Sequence, residues 1–129
     1  MRVGLSERIR FQDAEWLAVP DAPGVYVIHD LDEVVYVGMA GRNGRGSLRS
    51  RLRDHASGQI VNMFTQYLFL ARIQFLVEDR ISHPRAAKAA CQKYIRKRCS
   101  FQYLETSGAD KARDLERELK SKLKPVLNT

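Results

Sequence analysis

Two short apolar runs separated by a polar connection form the clearest pattern near the start of the chain. Residues 23–29 read PGVYVIH and residues 34–38 read VVYVG. Both runs are rich in β-branched and aromatic residues, which favour strands. The four residues between them, DLDE, are polar and few enough to connect the strands of a hairpin. The pattern therefore predicts an antiparallel pair of strands.

The relative placement of Tyr26 and Tyr36 depends on how many residues loop out between these strands. A loop of three or five residues would pair the two tyrosines directly across the ladder on one face. A four-residue loop would put them on opposite faces, and the sequence leaves both arrangements open. Both rings could also be ordinary strand aromatics that pack on the sheet.

Apolar residues spaced three and four apart predict three amphipathic helices further along the chain. The first covers residues 48–56, with Ser47 as its N-cap. The second begins at His83-Pro84, where proline is tolerated in the first turn. It ends in a cationic cluster that is either a nucleic-acid contact or a solvated face: Lys93, Arg96, Lys97 and Arg98. The third helix runs from about residue 109 to 124.

The remaining segments are read from shorter patterns. A short helix capped by Ser6 and reaching Leu17 is expected before the hairpin. Residues 60–67 fit a helix, whereas residues 68–77 fit a strand. Residues 100–105 alternate and are expected to form the third strand of the sheet.

Together these elements predict an α+β fold with a small central three-stranded antiparallel sheet, the hairpin plus the later strand, flanked by helices. With 129 residues, the chain is expected to form one domain. Its segments are a helical lead-in (1–22), the hairpin and first helix (23–58), a variable insertion (59–100), and the third strand, last helix and tail (101–129).

Composition narrows the class of protein. No apolar run approaches the roughly 20 residues that a membrane helix needs, and the first residues lack the apolar block of a signal peptide. A cytoplasmic protein without a membrane partner is therefore expected. Cys91 and Cys99 match no disulfide framework or zinc spacing, so two buried free thiols are predicted.

The net charge of +7 suits a polyanionic partner, most simply nucleic acid. After the second strand, a loop with three glycines carries Arg42 and Arg45, and such a loop can approach a phosphate closely. In the following helix, Arg51 and His55 lie four residues apart and are expected to emerge beside the hairpin. Arg49 and Arg53 form a second such pair, which faces solvent or phosphate.

The last helix carries a carboxylate, Glu116, at the edge of its apolar stripe. A surface ion pair with Lys120, four residues on, would explain it equally well.

These features, in this order, resemble the GIY-YIG nuclease superfamily. The resemblance rests on Gly24-Val25-Tyr26, Tyr36-Val37-Gly38, the helix with Arg51 and His55, Glu116, and the Pro125–Asn128 tail. It spans residues 23–128. Many relatives carry a lysine just after the second tripeptide, where this chain has Met39 and Ala40. Its role would have to be supplied by Arg42 or Arg45, or be dispensed with. Residues 59–100 also exceed the minimal module.

The resemblance implies a free-standing, metal-dependent endonuclease, with DNA favoured over RNA as the substrate. It assigns Glu116 to Mg²⁺ or Mn²⁺. Mg²⁺ prefers oxygen ligands and keeps most of its waters, so one carboxylate can suffice, and the lack of a second carboxylate at a matching place favours one metal ion over two. The resemblance also assigns Tyr26 or Tyr36 to generating hydroxide, once Arg51 and a metal close by lower the tyrosine pKa. Arg51 would pair with phosphate oxygens, and His55 would relay a proton or hold the phosphate. Nucleic-acid contacts are expected from Gly38, Arg42, Arg45, Arg49, Arg53 and Asn128. The alternatives are a nucleic-acid-binding domain of the same fold that does not cut, and a protein whose basic faces are only solvated.

Overall fold

A computed structural model of the chain describes residues 4–59, 62–76, 81 and 83–128. Its centre is one antiparallel sheet with strand order β1-β4-β2-β3. The strands are β1 (Ile9–Arg10), β2 (Gly24–Asp30), β3 (Glu33–Ala40) and β4 (Cys99–Glu105). The α+β class and the three predicted strands are confirmed, but the sheet has four strands rather than three. The extra strand is β1, which pairs with the otherwise open edge of β4 at Phe101 and Ser100.

The predicted helix from Ser6 to Leu17 is wrong. After β1 the chain makes two single 3₁₀ turns, Phe11–Asp13 and Trp16–Ala18. The rings of Phe11 and Trp16 both pack on Phe101, with centroid distances of 4.9 and 5.9 Å. An α-helix would point residues five apart in different directions, so packing on one ring excludes it.

The hairpin turn is shorter than predicted and includes an irregularity. Asp30 pairs with Glu33, which leaves a two-residue turn with Leu31 at a φ of 55°. The register then shifts between Ile28 and His29, because Val35 is an extra residue in β3. As a result Ile28 pairs with Tyr36, and Tyr26 pairs with Gly38.

Four α-helices surround the sheet: α1 (Leu48–Ala56), α2 (Met63–Ala71), α3 (Pro84–Arg98) and α4 (Ala109–Leu123). The predicted helices at 48–56, from residue 84, and from 109 are confirmed. The predicted strand at 68–77 is wrong where it is described, because α2 continues to Ala71 and a 3₁₀ turn follows at Ile73–Phe75. Phe64 and Leu68, four residues apart, are both buried, as helical packing requires. Ile60 and Val77 lie outside the described residues.

The helices cover the two faces of the sheet differently. On one face α4 packs its Ala112 and Leu119 against valines of the hairpin. On the other face α1, α2 and α3 bury a larger core around Tyr26, Ile28 and Phe101. Both cysteines are free and buried, as predicted. Among the described residues, no helix combines the length and the hydropathy that a membrane span requires.

Candidate active site

A pocket of about 400 Å³ opens where the hairpin, the following loop, α1 and α4 meet. Helices from both faces of the sheet contribute to the pocket, because α1 packs on one face and α4 packs on the other. The side chains that give the pocket its chemistry are two phenols, three guanidinium groups, one carboxylate and one amine: Tyr26, Tyr36, Arg42, Arg45, Arg51, Glu116 and Lys120. The structure thus brings seven of the eleven predicted site residues to the pocket wall, since Gly38 also lines it.

The two tyrosines lie on one face of the sheet, although they do not pair directly. Their ring centroids are 6.4 Å apart, as expected of diagonal neighbours on adjacent strands. The shared face of the first alternative is therefore confirmed, but its direct pairing is wrong, and so is the second alternative of opposite faces. The extra residue Val35 is the reason, because an unbroken register from the two-residue turn would turn Tyr36 to the other face.

Gly38 lines the pocket for a steric reason. A Cβ atom there would lie 2.3 Å from the Tyr26 hydroxyl oxygen. Any side chain at this position would displace the phenol, so glycine is what allows Tyr26 to lie flat across β3. The nucleic-acid contact predicted for Gly38 stays a prediction.

A hydrogen-bonded chain continues from Tyr26 into the core. The Tyr26 hydroxyl and His55 Nε2 are 2.6 Å apart, and His55 Nδ1 lies 3.3 Å from Asn62 Oδ1. Asn62 Oδ1 also accepts from the Thr65 amide at 2.8 Å as the N-cap of α2, so it faces His55 as an acceptor. His55 therefore carries its proton on Nδ1, and Nε2 accepts the proton that Tyr26 donates.

Burial keeps this chain neutral. It lowers the pKa of His55 to about 3, with Arg51 acting in the same direction. Burial also raises the pKa of Tyr26, with Tyr36 adding to the rise, and Arg51 only partly opposes it. Arg51 acts on the pKa of both tyrosines in the predicted direction, downward, but loss of hydration outweighs it, so both pKa values remain raised.

Tyr36 differs from Tyr26 in its surroundings. It is half-buried, and its hydroxyl makes no side-chain hydrogen bond among the described residues. Burial raises the pKa of Tyr36, Arg51 lowers it, and Glu116 raises it. Tyr36 is thus the phenol with a free hydroxyl in the pocket, whereas the Tyr26 proton is already committed to His55.

Glu116 approaches the phenols from α4, on the opposite face of the sheet. Its side chain is only 15% exposed, and its carboxylate lies 3.8 Å from the Lys120 ammonium. The ion pair expected of a surface carboxylate is therefore present, but it lies inside the pocket. A carboxylate oxygen beside two phenol oxygens fits a hard cation such as Mg²⁺ that keeps several waters. The described residues hold no cluster of three or more Asp, Glu, His or Cys side chains that could bind a metal ion together.

Three predicted nucleic-acid contacts lie outside the described pocket wall. Arg49 donates to the carbonyl oxygens of Val19 and Leu17 at 3.0 and 3.4 Å, so it holds the lead-in segment. The Asn128 side chain accepts from the Val37 amide at 3.2 Å and donates to the Val37 carbonyl oxygen at 2.5 Å, which holds the tail against the edge strand β3. Arg53 is exposed on α1. Contacts from these residues to nucleic acid remain predictions.

Asn62 and Lys120 are the site residues that sequence reasoning missed. Asn62 precedes α2 as an N-cap, and nothing in that pattern indicates that the same oxygen also orients His55. Lys120 was visible only as a partner four residues from Glu116. Its place in the pocket follows from the docking of α4 on the sheet.

The order of two hairpin tyrosines, a helix arginine and a late glutamate can be compared with known families. The model of the family described as "GIY-YIG catalytic domain" matches residues 25–129. The chain belongs to this family. The predicted resemblance is therefore confirmed, and the protein is an enzyme domain of the nuclease class.

Solved structures agree with the identification at the level of fold. The GIY-YIG N-terminal endonuclease domain of UvrC from Thermotoga maritima, bound to magnesium, is 22% identical, with 88% of this chain and 91% of that chain covered and a TM-score of 0.49. A point mutant of the same domain, bound to its catalytic divalent cation, is 21% identical over the same shares, with a TM-score of 0.51. The latter supports a shared GIY-YIG fold. Comparison with curated proteins finds no match.

Proposed function

We propose that this GIY-YIG domain is an endonuclease that hydrolyses phosphodiester bonds in DNA with one divalent cation. The observation that carries the proposal is the meeting of Tyr36, Arg51 and Glu116 in one pocket, although they come from β3, α1 and α4. Such a set combines an acceptor for a water proton, a cation for phosphate oxygens and an oxygen ligand for a metal. The similar UvrC domain is bound to a catalytic divalent cation, which is in keeping with this chemistry.

Glu116 would hold Mg²⁺ or Mn²⁺, which supplies Lewis acidity to the phosphate and the leaving oxygen when bound. The Lys120 ammonium, 3.8 Å from the Glu116 carboxylate, already neutralises part of its charge. Because the carboxylate is only 15% exposed, its orientation is restricted before a cation arrives. Glu116 would therefore bind the cation with a side chain that is already held in place.

Arg51 would bind the non-bridging oxygens of the scissile phosphate. Its side chain is exposed toward the pocket and has no ion-pair partner among the described residues. A planar guanidinium suits two oxygens of one phosphate and stabilises charge that grows during attack. Arg42 and Arg45, on the glycine-rich loop at the same pocket, supply further positive charge where many relatives carry a lysine.

The two tyrosines would have different tasks. Tyr36, with its hydroxyl in the pocket, accepts a hydrogen bond or a proton from the attacking water. Tyr26 is fully buried and donates its proton to His55, so only its oxygen lone pairs remain for the pocket. Tyr26 and His55 therefore act together as positioning residues that orient Tyr36 and Arg51 from the core side of the pocket.

A domain of this fold that binds nucleic acid without cutting is the other candidate. Glu116 argues against it, because a carboxylate in the pocket repels phosphate unless a cation lies between them. Cleavage thus accounts for the whole set of pocket residues, whereas binding alone accounts only for the arginines.

The experiment compares Glu116→Gln with Glu118→Gln, a matched change on the same helix outside the pocket wall. Nicking of supercoiled plasmid is measured with Mg²⁺, with Mn²⁺ and with EDTA, and DNA binding is measured separately in EDTA. The native protein should cut only with metal, and Glu116→Gln should lose roughly 10²–10³-fold in rate or more while it still binds DNA. Glu118→Gln should cut normally. Unchanged nicking by Glu116→Gln would overturn the metal assignment, and no cutting of plasmid, duplex, flap or single-stranded DNA by the native protein would overturn the function.

A further inference from the structure

Helix α3 carries a concentrated share of the positive charge that lies outside the pocket. Six of its fifteen residues are Lys or Arg, and none is Asp or Glu. Arg98 is bound to the buried Asp30 at 3.0 Å. The other five are exposed and make no ion pair with a described residue; we call them the α3 cationic face: Arg85, Lys88, Lys93, Arg96 and Lys97.

The α3 cationic face is opposite the side by which the helix packs. Ala87, Cys91, Tyr94 and Ile95 are the buried residues of α3. Ala86 and Ala89 lie exposed between the cations, and their small side chains leave the charged groups accessible. The five cations extend over about 18 Å of helix at 1.5 Å per residue.

The charge of α3 is unusual within this chain. Helix α4 also carries many cations, but it mixes them with acidic residues and forms ion pairs such as Arg113 with Asp110 and Lys120 with Glu116. On α3, Lys93 and Lys97 are like charges four residues apart, an arrangement that destabilises a helix. A face that is only solvated gains nothing that offsets this repulsion, whereas a face that binds a polyanion gains affinity from each cation.

The α3 cationic face adjoins the helix that supplies Arg51. Gly58, two residues after α1 ends, lies directly on the α3 backbone at a φ of 75°. A Cβ atom on Gly58 would lie 2.7 Å from both the Lys88 carbonyl oxygen and the Gln92 amide nitrogen. The residues that follow α1 and the middle of α3 are thus in close backbone contact.

We propose that the α3 cationic face is a docking surface for the phosphate backbone of duplex DNA next to the cleavage pocket. The identity of the ligand as substrate rests on the proposed function. No aromatic side chain is among the exposed residues of α3, so the face has no platform for stacking the bases of a single strand. It also lacks the large apolar side chains that a membrane-surface helix inserts. Phosphate contacts of this kind position a duplex without reading its sequence.

The test measures how DNA affinity depends on salt, in EDTA so that nothing is cut. The variant K88Q/K93Q/K97Q removes three exposed cations of α3. The control K111Q/R117Q/K124Q removes three exposed cations of α4 and its C-cap, outside the pocket wall. Melting temperatures check that both variants fold.

For a duplex of about 30 base pairs, the slope of log K against log salt should fall by roughly 2 to 3 in the α3 variant, with at least about 10-fold weaker binding.

Three outcomes would overturn the proposal: an unchanged salt slope in the α3 variant, an equal loss in the α4 control, or an equal loss for single-stranded DNA of the same length. With Mg²⁺ present, the α3 variant should raise KM and leave kcat unchanged, because the pocket is intact. Failure of the proposed function would be seen differently, as native protein that keeps its salt slope and cuts no DNA.

Discussion

Two clusters built from the same residue types lie toward opposite ends of the hairpin. At the turn end, Asp30 is bound by Arg72 at 2.8 Å, by Arg98 at 3.0 Å and by the Tyr94 hydroxyl. At the other end, the pocket contains Tyr36, Arg51 and Glu116. Each cluster combines phenol, guanidinium and carboxylate, yet their surroundings differ.

The difference is whether the groups satisfy one another. The Asp30 side chain is 0% exposed, and its oxygens accept from two arginines and a tyrosine, so nothing remains for a ligand. In the pocket, Arg51 has no ion-pair partner among the described residues, and the Tyr36 hydroxyl has no side-chain partner there. A saturated cluster stabilises the fold, whereas an unsaturated one keeps its binding capacity for a ligand.

The largest expected effect separates the two clusters by stability. Asp30→Asn leaves Arg72 and Arg98 without their carboxylate and should lower the free energy of unfolding by about 3–5 kcal/mol, the cost of breaking a buried ion pair. Urea unfolding measures it. Asp32→Asn, in the same turn but fully exposed, is the matched control and should leave stability unchanged. Equal stability of the Asp30 and Asp32 variants would remove the distinction between the clusters.

Arg51→Ala should lower activity and leave stability unchanged, the opposite of what is expected for Asp30→Asn. We expect cleavage to slow by about 10²–10³-fold, because one preorganised contact to the growing phosphate charge is lost. The melting temperature should not fall, since Arg51 is exposed. Arg53→Ala, two residues along the same helix and outside the pocket wall, should keep kcat. A folding defect in Arg51→Ala with normal specific activity would make Arg51 a structural residue.

The tyrosines can be separated by pH. Because the pKa of Tyr36 is raised, only a small fraction is phenolate near neutrality, and that fraction grows about tenfold per pH unit. If phenolate is the active form, log kcat should rise with pH between about 7 and 9, and Tyr36→Phe should lower the rate by roughly 10² and flatten the slope. Tyr26→Phe should lower the rate less and keep the slope. The same slope in Tyr36→Phe would assign the base elsewhere.

The smallest expected effect is on the stability of the folded protein at acid pH. The pKa of His55 is about 3 when folded and about 6.5 when unfolded, so the unfolded chain binds one more proton between these values. This contribution to stability is complete above pH 6.5 and falls as pH decreases toward 3, by about 2 kcal/mol at pH 5. His55→Gln lacks this titration, and its loss of stability between pH 7 and pH 5 should be smaller by that amount. Parallel stability curves for the two proteins would contradict the assignment.

Sequence reasoning predicted the elements whose signals are local. The bounds of α1 follow from Ser47 as a cap and from leucines four apart, and the structure repeats them at Leu48–Ala56. The start of α3 follows from the proline of its first turn. Errors arose where distant packing decides the conformation: the lead-in segment, which folds around Phe101, and residues 68–71, which continue α2 instead of forming a strand.

Local patterns in the sequence were enough to predict the family, the hairpin, helices α1, α3 and α4 and the residue types of the site, because tripeptides, caps and apolar spacing are read over a few residues. The shared face of Tyr36 and Tyr26 became evident from the folded chain, since one extra residue at Val35 reverses the alternation of β3. The docking of α4 brings Glu116 to the pocket of the two phenols from the other face of the sheet. The docking of α2 next to α1 gives the Asn62 side chain a second hydrogen-bond partner, His55. These arrangements depend on how whole elements dock, and no local pattern encodes docking.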